Sequence, residues 1–291
     1  MKKILVPTDF SEQAGFALDF AIQIANSGIA EIILLTVVDY PGGMSSVWGG
    51  GVNVIGGAEP PMENVDEIFA NNLIEKAKED LDSIVNSKKV SGVTIIPKVQ
   101  IGNPYISISE EIEDSHIDLV IIGSKGSAGL EEILIGSNTE KVVRHAKCPV
   151  LTIKRQRNIE EIEDIVFASN FEGDQSFVVN ELKKIQKLLM GKLHLVKINT
   201  PNNFEASRPT TELMKGFAEK YNLDNYTLNI YNDFIEEDGI IYFAQDIDAD
   251  MIALATHGRS GLMHLLSGSI AEDIVNHAKR PVWTCRLKHE K

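Results

Sequence analysis

The sequence predicts two consecutive α/β domains, each a five-stranded parallel sheet flanked by helices. Short apolar runs alternate with segments of helical periodicity, which is typical of strand–helix–strand units in a parallel sheet. The pattern then restarts, and residues 126–152 align without gaps on residues 258–284. A glycine-rich stretch follows the fourth apolar run, where a parallel sheet places its ligands. At 291 residues the chain is long enough for two modest domains.

The first copy contains the elements of one such domain in order. An apolar run at 4–6 predicts the first strand, and Ser11 suits the N-cap of the helix that follows. A second strand at 31–39 completes a βαβ unit. The glycine- and proline-rich residues 40–62 predict a mobile loop. The later strands are expected at 93–100, 119–122 and 149–153, with helices from 65, around 107–114 and through 140–146.

The second copy repeats these elements after a hinge near residues 154–160. The two domains are therefore expected at 1–154 and 160–291. The acidic run 236–238 is expected to be a solvated face. The strands of this copy are expected at 165–170, 193–198, 226–231, 251–255 and 281–285.

Charge and composition argue against several classes of function. The net charge is −14, from 42 acidic and 28 basic side chains, whereas nucleic acid and anionic membranes both favour a basic face. No stretch approaches the roughly 20 apolar residues of a transmembrane helix, and the N-terminus does not resemble a signal peptide. Cys148 and Cys285 form neither a disulfide framework nor a metal motif, which is consistent with the cytoplasm. The histidines lack paired ligand spacing, so no side-chain metal site is predicted.

The most informative stretch covers residues 118–139. A buried-strand pattern leads into the spacing Gly-x2-Gly-x9-Gly-Ser, which begins at Gly123 and ends at Ser137. Glycine lets backbone N–H groups converge and lets an anion approach closely. A helix that starts at the final Gly-Ser adds free amides and the positive end of its dipole. An ordinary strand–loop–helix connection is the alternative, but the full spacing favours a polyphosphate site.

This spacing resembles the nucleotide signature of the universal stress protein family, and the whole chain is similar to tandem members with two fused copies. The resemblance implies a Rossmann-like fold of the adenine nucleotide alpha hydrolase type in each half. It also implies ATP, ADP or AMP as ligand, with Mg²⁺ held mainly by phosphate oxygens and water. The halves are expected to pair through their fifth strands, 149–153 and 281–285, and a homodimer of the chain stays open.

The resemblance assigns the nucleotide to residues that follow the first, second and fourth strands of the first copy. Asp9 would accept hydrogen bonds from the ribose or the adenine, with helix capping as the alternative, and Val37 would pack near the base. Lys125 would add positive charge at the γ-phosphate, although a lysine in a surface loop is usually only solvated. The full set is Pro7, Thr8, Asp9, Val37, Gly123, Ser124, Lys125, Gly126, Gly136, Ser137 and Asn138.

The second copy departs from the signature at two positions. Ala255 replaces the first glycine, and its methyl group would oppose a close backbone approach if that position needs positive φ. Asn170 replaces the aspartate and loses its charge. A weaker second site would retain Asn170, Gly258, Gly268 and Ser269. We therefore expect about one nucleotide site per chain.

No catalytic group is assigned from the sequence. His145 and His277 occupy matching positions near helix C-termini, where a cation is favoured, so a structural role is expected. Three functions stay open: a stress regulator with ATP as ligand or switch, a slow ATPase, and a scaffold whose glycine loops are empty or hold another molecule. The fold does not choose between them. The intact first-copy motif favours binding over the scaffold, and the lack of an assignable general base favours regulation over hydrolysis.

Overall fold

The computed structural model of the chain describes residues 1–28, 30–39, 63–88, 92–124, 135–256 and 268–287. Strands and helices alternate throughout, so the predicted α/β class is confirmed. The predicted loop at 40–62 lies outside the described residues. The first half contains β1 (Lys3–Pro7), α1 (Glu12–Gly28), β2 (Glu31–Val38), α2 (Glu63–Ser87), β3 (Thr94–Ile101), α3 (Pro104–Asp114), β4 (Leu119–Gly123), α4 (Ser137–His145) and β5 (Val150–Ile153).

The second half repeats this order after a short 3₁₀ turn at Ile159–Glu161. Each of its strands has a counterpart in the first half, as the internal repeat predicts. Its elements are β6 (Asp164–Ala168), α5 (Ser176–Leu189), β7 (Lys192–Asn199), α6 (Ser207–Lys220), β8 (Tyr226–Asn232), α7 (Glu236–Asp246), β9 (Met251–Thr256), α8 (Gly268–His277) and β10 (Val282–Arg286).

The ten strands form one sheet in the order β3-β2-β1-β4-β5-β10-β9-β6-β7-β8. Within each half all pairs are parallel, and β5 meets β10 antiparallel, with Leu151 opposite Trp283. The hydroxyls of Thr152 and Thr284 reach across this seam to the carbonyls of Val282 and Val150, at 3.2 and 3.4 Å. The sheet is mixed because the fifth strands of the two halves pair antiparallel. Each bonds to the other through the backbone groups of an edge that would otherwise be unpaired.

Helices cover both faces of the sheet. Alternate strand residues point to opposite faces, so Ile4 and Val6 join one buried cluster and Leu5 joins the other. The first cluster lies under α1, α2, α5 and α6, and the second under α3, α4, α7 and α8. Strands buried on both faces explain the continuous apolar runs in the sequence.

The helices that approach the carboxyl ends of the first-half strands have defined starts. The amide of Ala14 donates to the hydroxyl of Ser11 at 3.3 Å, which confirms the predicted cap of α1. At α3 the side chain of Asn103 accepts the amide of Ile106 at 3.2 Å, and Pro104 is the first helical residue. These two starts and that of α4 surround one cleft.

Candidate functional site

A cleft of about 440 Å³ opens at the carboxyl ends of β1, β2 and β4. It is the crevice where open α/β sheets bind ligands. The structure brings most of the predicted nucleotide residues together there, although Lys125 and Gly126 lie outside the described residues. The lining comprises Pro7, Thr8, Asp9, Ser11, Ala14, Leu35, Val37, Pro104, Ile108, Ile122, Gly123, Gly136, Ser137, Asn138 and Thr139.

One side of the cleft is apolar. Leu35 and Val37 contribute from β2, Ile122 from β4 and Ile108 from α3. These side chains belong to the core on the α3 and α4 face or pack against it, so the wall is held by the fold itself. Sequence reasoning identified Val37 but missed the others, although their apolar periodicity on neighbouring elements was a usable signal. Such a wall suits a flat, weakly polar ring system.

The opposite side is the start of α4. Gly136 is its N-cap, with φ −67° and ψ 148°, and no side chain of the described residues caps the helix. The first amide to bond back is that of Glu140, which donates to the carbonyl of Gly136 at 3.0 Å. The amides of Ser137, Asn138 and Thr139 therefore lack acceptors within the helix, and the helix dipole adds positive potential there. This arrangement can bind an anion.

Asp9 stands at the rim of the cleft, after β1. One carboxylate oxygen accepts the amide of Ser11 at 3.0 Å, and the hydroxyl of Thr8 accepts the amide of Phe10 at 3.1 Å. This bond closes a turn just before α1, and the helix itself is capped by Ser11 rather than by Asp9. The side chain is exposed, so the carboxylate can also accept hydrogen bonds from a ligand.

The two described glycines of the motif have different roles. A methyl group on Gly123 would lie 2.5 Å from the carbonyl carbon of Gln13, so this glycine lets the start of α1 pack on β4. Gly123 is not among the described glycines with positive φ, so the glycine is needed here for the close approach and not for its backbone conformation. A methyl group on Gly136 would meet no atom of the described residues within 4 Å. The fold requires the first glycine, whereas the second leaves space that is open to the cleft.

Ser124 is not brought to the cleft. It is fully buried and absent from the lining, and its amide donates to the carbonyl of Ile153 at 3.1 Å. The bonding between β4 and β5 continues one residue beyond Gly123, which turns this amide toward the sheet. The hydroxyl has no partner among the described residues, and the same holds for Thr256, its counterpart in the second half.

The second-half counterpart of the Asp9 loop is bonded internally. The side-chain oxygen of Asn170 accepts the amide of Glu172 and the side-chain amide of Gln175, both at 3.2 Å. Gln175 is itself buried and bonds to the hydroxyl of Ser169. Of the other second-site residues, Gly258 lies outside the described part and Gly268 and Ser269 begin α8. The acceptor that Asn170 offers is already in use.

Ala255 changes how the helix packs in the second half. Its side chain is buried where Gly123 admits the backbone of α1. Helix α1 lies along β4, whereas α5 starts later after its strand and packs against β10. A methyl group at this position would exclude a helix start as close to the strand as that of α1.

Glu236 corrects the expectation of a solvated acidic face. It is the first residue of α7, as Pro104 is of α3, and it is only partly exposed. Burial above all, together with the neighbouring Glu237, raises the pKa of its carboxyl to about 7, while Lys197 acts in the opposite direction. Where ionised, this carboxylate opposes an anion at the second-half counterpart of the cleft.

The histidines that end α4 and α8 have local contacts. The ring of His145 meets Tyr105 edge-on, with centroids 6.1 Å apart, and Nδ1 of His277 bonds to the carbonyl of Asp273 at 2.8 Å. The described residues contain no group of three or more His, Cys, Asp or Glu side chains that could hold a metal ion. Nor does any helix in the described ranges have both the length and the apolar character needed to cross a membrane.

Comparison with known proteins agrees with this architecture. The profile of the universal stress protein family matches residues 1–154 and 236–286. The chain belongs to the universal stress protein family. Universal stress protein MJ0577 of Methanocaldococcus jannaschii is 33% identical over 157 residues, covering 54% of this chain and 97% of the relative. Universal stress protein Slr1230 of Synechocystis is 24% identical over 302 residues, covering 98% of this chain and 100% of the relative.

A solved structure extends the likeness to the whole fold. The crystal structure of a universal stress protein from Archaeoglobus fulgidus superposes with a TM-score of 0.73 at 20% identity, and covers 98% of each chain. At that identity the likeness concerns the fold, and it includes both halves. The predicted Rossmann-like, tandem organisation is therefore shown for this family member.

Proposed function

We propose that this stress-response protein binds one adenine nucleotide, ATP, ADP or AMP, in its first half and responds to it as a regulator. One observation carries the proposal: the first-half cleft joins an apolar wall to a helix start whose first amides have no acceptor among the described residues. The wall suits a base and the amides suit phosphate. The family resemblance assigns an adenine nucleotide to the same positions.

In this proposal the base packs against Leu35 and Val37, and the exposed carboxylate of Asp9 accepts hydrogen bonds from the ribose or the base. The phosphates lie at the amides of residues 136–138, with Lys125 and Gly126 on their other side as the resemblance implies. Mg²⁺, when bound, neutralises phosphate charge and is held by phosphate oxygens and water, not by side chains. The protein's part is therefore to present fixed dipoles to the phosphates.

The second half contributes no equal site in this proposal. Its loop acceptor at Asn170 is used internally, and Glu236 places a carboxyl group where the first half has Pro104. We further propose domains at 1–154 and 160–291 that stay paired through β5 and β10 in solution. The cytoplasm is the proposed compartment, in keeping with two buried cysteines outside any disulfide.

Titration calorimetry of the full chain with ATP, ADP and AMP tests the proposal. We expect about one site per chain. Gly136→Ala places a methyl group in the cleft without touching a described atom, and should weaken nucleotide binding about tenfold or more while leaving the melting temperature nearly unchanged. Gly216→Ala is the matched control, because Gly216 is also unobstructed but lies on α6 of the second half. Absence of saturable binding, or equal affinity in both variants, would refute the proposed site.

A further inference from the structure

A side chain of the second half bonds to the backbone just before α4 of the first half. The amide of Ile135, the residue before the Gly136 N-cap, donates to the side-chain oxygen of Asn276 at 2.9 Å. Asn276 is the penultimate residue of α8, and its own carbonyl accepts the ammonium of Lys154 at 2.7 Å. Lys154 is buried just after β5, which places both supporting groups at the junction of the halves.

This bond lies next to the first amides of α4, which no bond within the helix holds in place. The N-cap of this helix, Gly136, has no side chain that could bond to the first amides, and the amides that line the cleft make no bond within the helix. Their direction therefore depends on how the chain enters the helix. Asn276 holds the peptide immediately before that entrance. Further along the same contact, Arg144 approaches Glu272 at 3.8 Å and Glu140 shares a hydrogen bond with Glu272.

The residue at the position of Asn276 in the first half cannot give the same support. In the gapless internal alignment, Arg144 of the first half corresponds to Asn276 of the second. A guanidinium group carries donors and no acceptor, so Arg144 cannot accept a backbone amide as Asn276 does. Likewise Arg286 corresponds to Lys154. At this position an acceptor is therefore present only in the second half, and the amide that it holds belongs to the half with the intact nucleotide motif.

We propose that the second half acts as a brace for the phosphate-binding end of the first-half cleft, with Asn276 as its positioning residue and Lys154 as its support. This inference rests on the proposed nucleotide site and gives the diverged copy a function other than binding. Because binding and bracing are linked, a bound nucleotide also stabilises the contact between α4 and α8.

The test compares ATP with adenosine on the full-length protein and its variants. Asn276→Ala should weaken ATP binding about tenfold, the scale of one lost backbone hydrogen bond that orients the site, and change adenosine binding less than twofold. Asn276→Asp keeps the acceptor and should restore ATP affinity to within about threefold of wild type. His277→Ala, which removes the next side chain of α8 and its bond to the carbonyl of Asp273, is the control and should leave both affinities unchanged.

The outcomes separate the brace from the binding site. If wild type binds ATP and Asn276→Ala binds it equally well, the brace is refuted and the nucleotide site stands. If Asn276→Ala loses ATP and adenosine in equal measure, or only melts earlier, Asn276 is merely structural and the brace is refuted. If wild type binds neither ligand, the nucleotide site itself is refuted and the brace with it. Loss confined to ATP, with rescue by Asn276→Asp, supports the inference.

Discussion

The two halves share one order of elements but differ in the loop after their first strand. Phe10 and Phe171 occupy corresponding positions, and both have positive φ. Phe10 is 39% exposed, whereas Phe171 is 3% exposed and packs against Phe167 and Phe217, with Tyr221 next to them. The sheet is the same in both halves. The loop forms part of the cleft rim in the first half and part of the core in the second. The two halves therefore differ at the loop that borders the cleft in the first half.

The second strands of the halves show the same trend. Thr36 in β2 corresponds to Lys197 in β7, and both side chains are buried. The ammonium of Lys197 lies 2.6 Å from a carboxylate oxygen of Glu205, and Asn199 bonds to the backbone of the same glutamate. Polar groups near the strand ends of the second half thus bond to one another. The first half instead leaves the amides at the start of α4 and the Asp9 carboxylate accessible.

The largest expected difference between the halves comes from the two phenylalanines. Phe171→Ala should lower the free energy of unfolding by about 3–5 kcal/mol, because it removes a buried ring from an aromatic cluster. Phe10→Ala should change it by less than about 0.5 kcal/mol, since its ring is partly exposed. Urea denaturation of both variants measures the contrast, and similar midpoints would contradict the different burial of the two loops.

The glycine–alanine exchange at the end of β4 and β9 should give a smaller effect. Gly123→Ala forces a methyl group against the backbone of Gln13 and should destabilise the protein by about 1–3 kcal/mol. Ala255→Gly should cost about 1 kcal/mol or less, since it removes only one buried methyl group. Thermal melting distinguishes the two. A harmless Gly123→Ala would show that α1 does not require this glycine.

The smallest effect concerns Glu236 and depends on pH. The folded-state pKa of about 7 lies above the ordinary glutamate pKa of 4.5, so the folded protein binds more protons than the unfolded chain between these two pH values. Its contribution to stability is present below about pH 4.5 and is lost as the pH rises through 7. Glu236→Gln should therefore raise the free energy of unfolding by about 1–2 kcal/mol at pH 8, discounted for partial exposure, and leave it unchanged at pH 4.

Denaturation at the two pH values provides the control within one variant. Glu237→Gln offers a second comparison, because the neighbouring carboxylate contributes only part of the raised pKa of Glu236. An equal gain for Glu236→Gln at pH 4 and pH 8 would mean that the carboxyl group is not destabilised by burial. The first half has Pro104 at the corresponding place and should show no such pH-dependent contribution from that position.

Local pattern predicted the fold well, because strand and helix periodicities and an internal repeat can be read along the chain. The candidate site was predicted less completely. The glycine spacing indicated where backbone amides are free, but it treated Gly123 and Gly136 alike. Only packing separates them, since one faces the backbone of Gln13 and the other faces open space. Ser124 was assigned to the cleft by the motif and is instead turned toward β5.

The sequence by itself determined the α/β class, the duplication and the position of the glycine motif in the first copy, because each follows from neighbours within a few residues or from one alignment. Tertiary structure decided which groups are buried and which residues of the two halves touch. The partial burial of Glu236 depends on helix packing, and the bond between Ile135 and Asn276 joins residues 141 positions apart. No local pattern contains such a contact, because chain folding alone brings its two partners together.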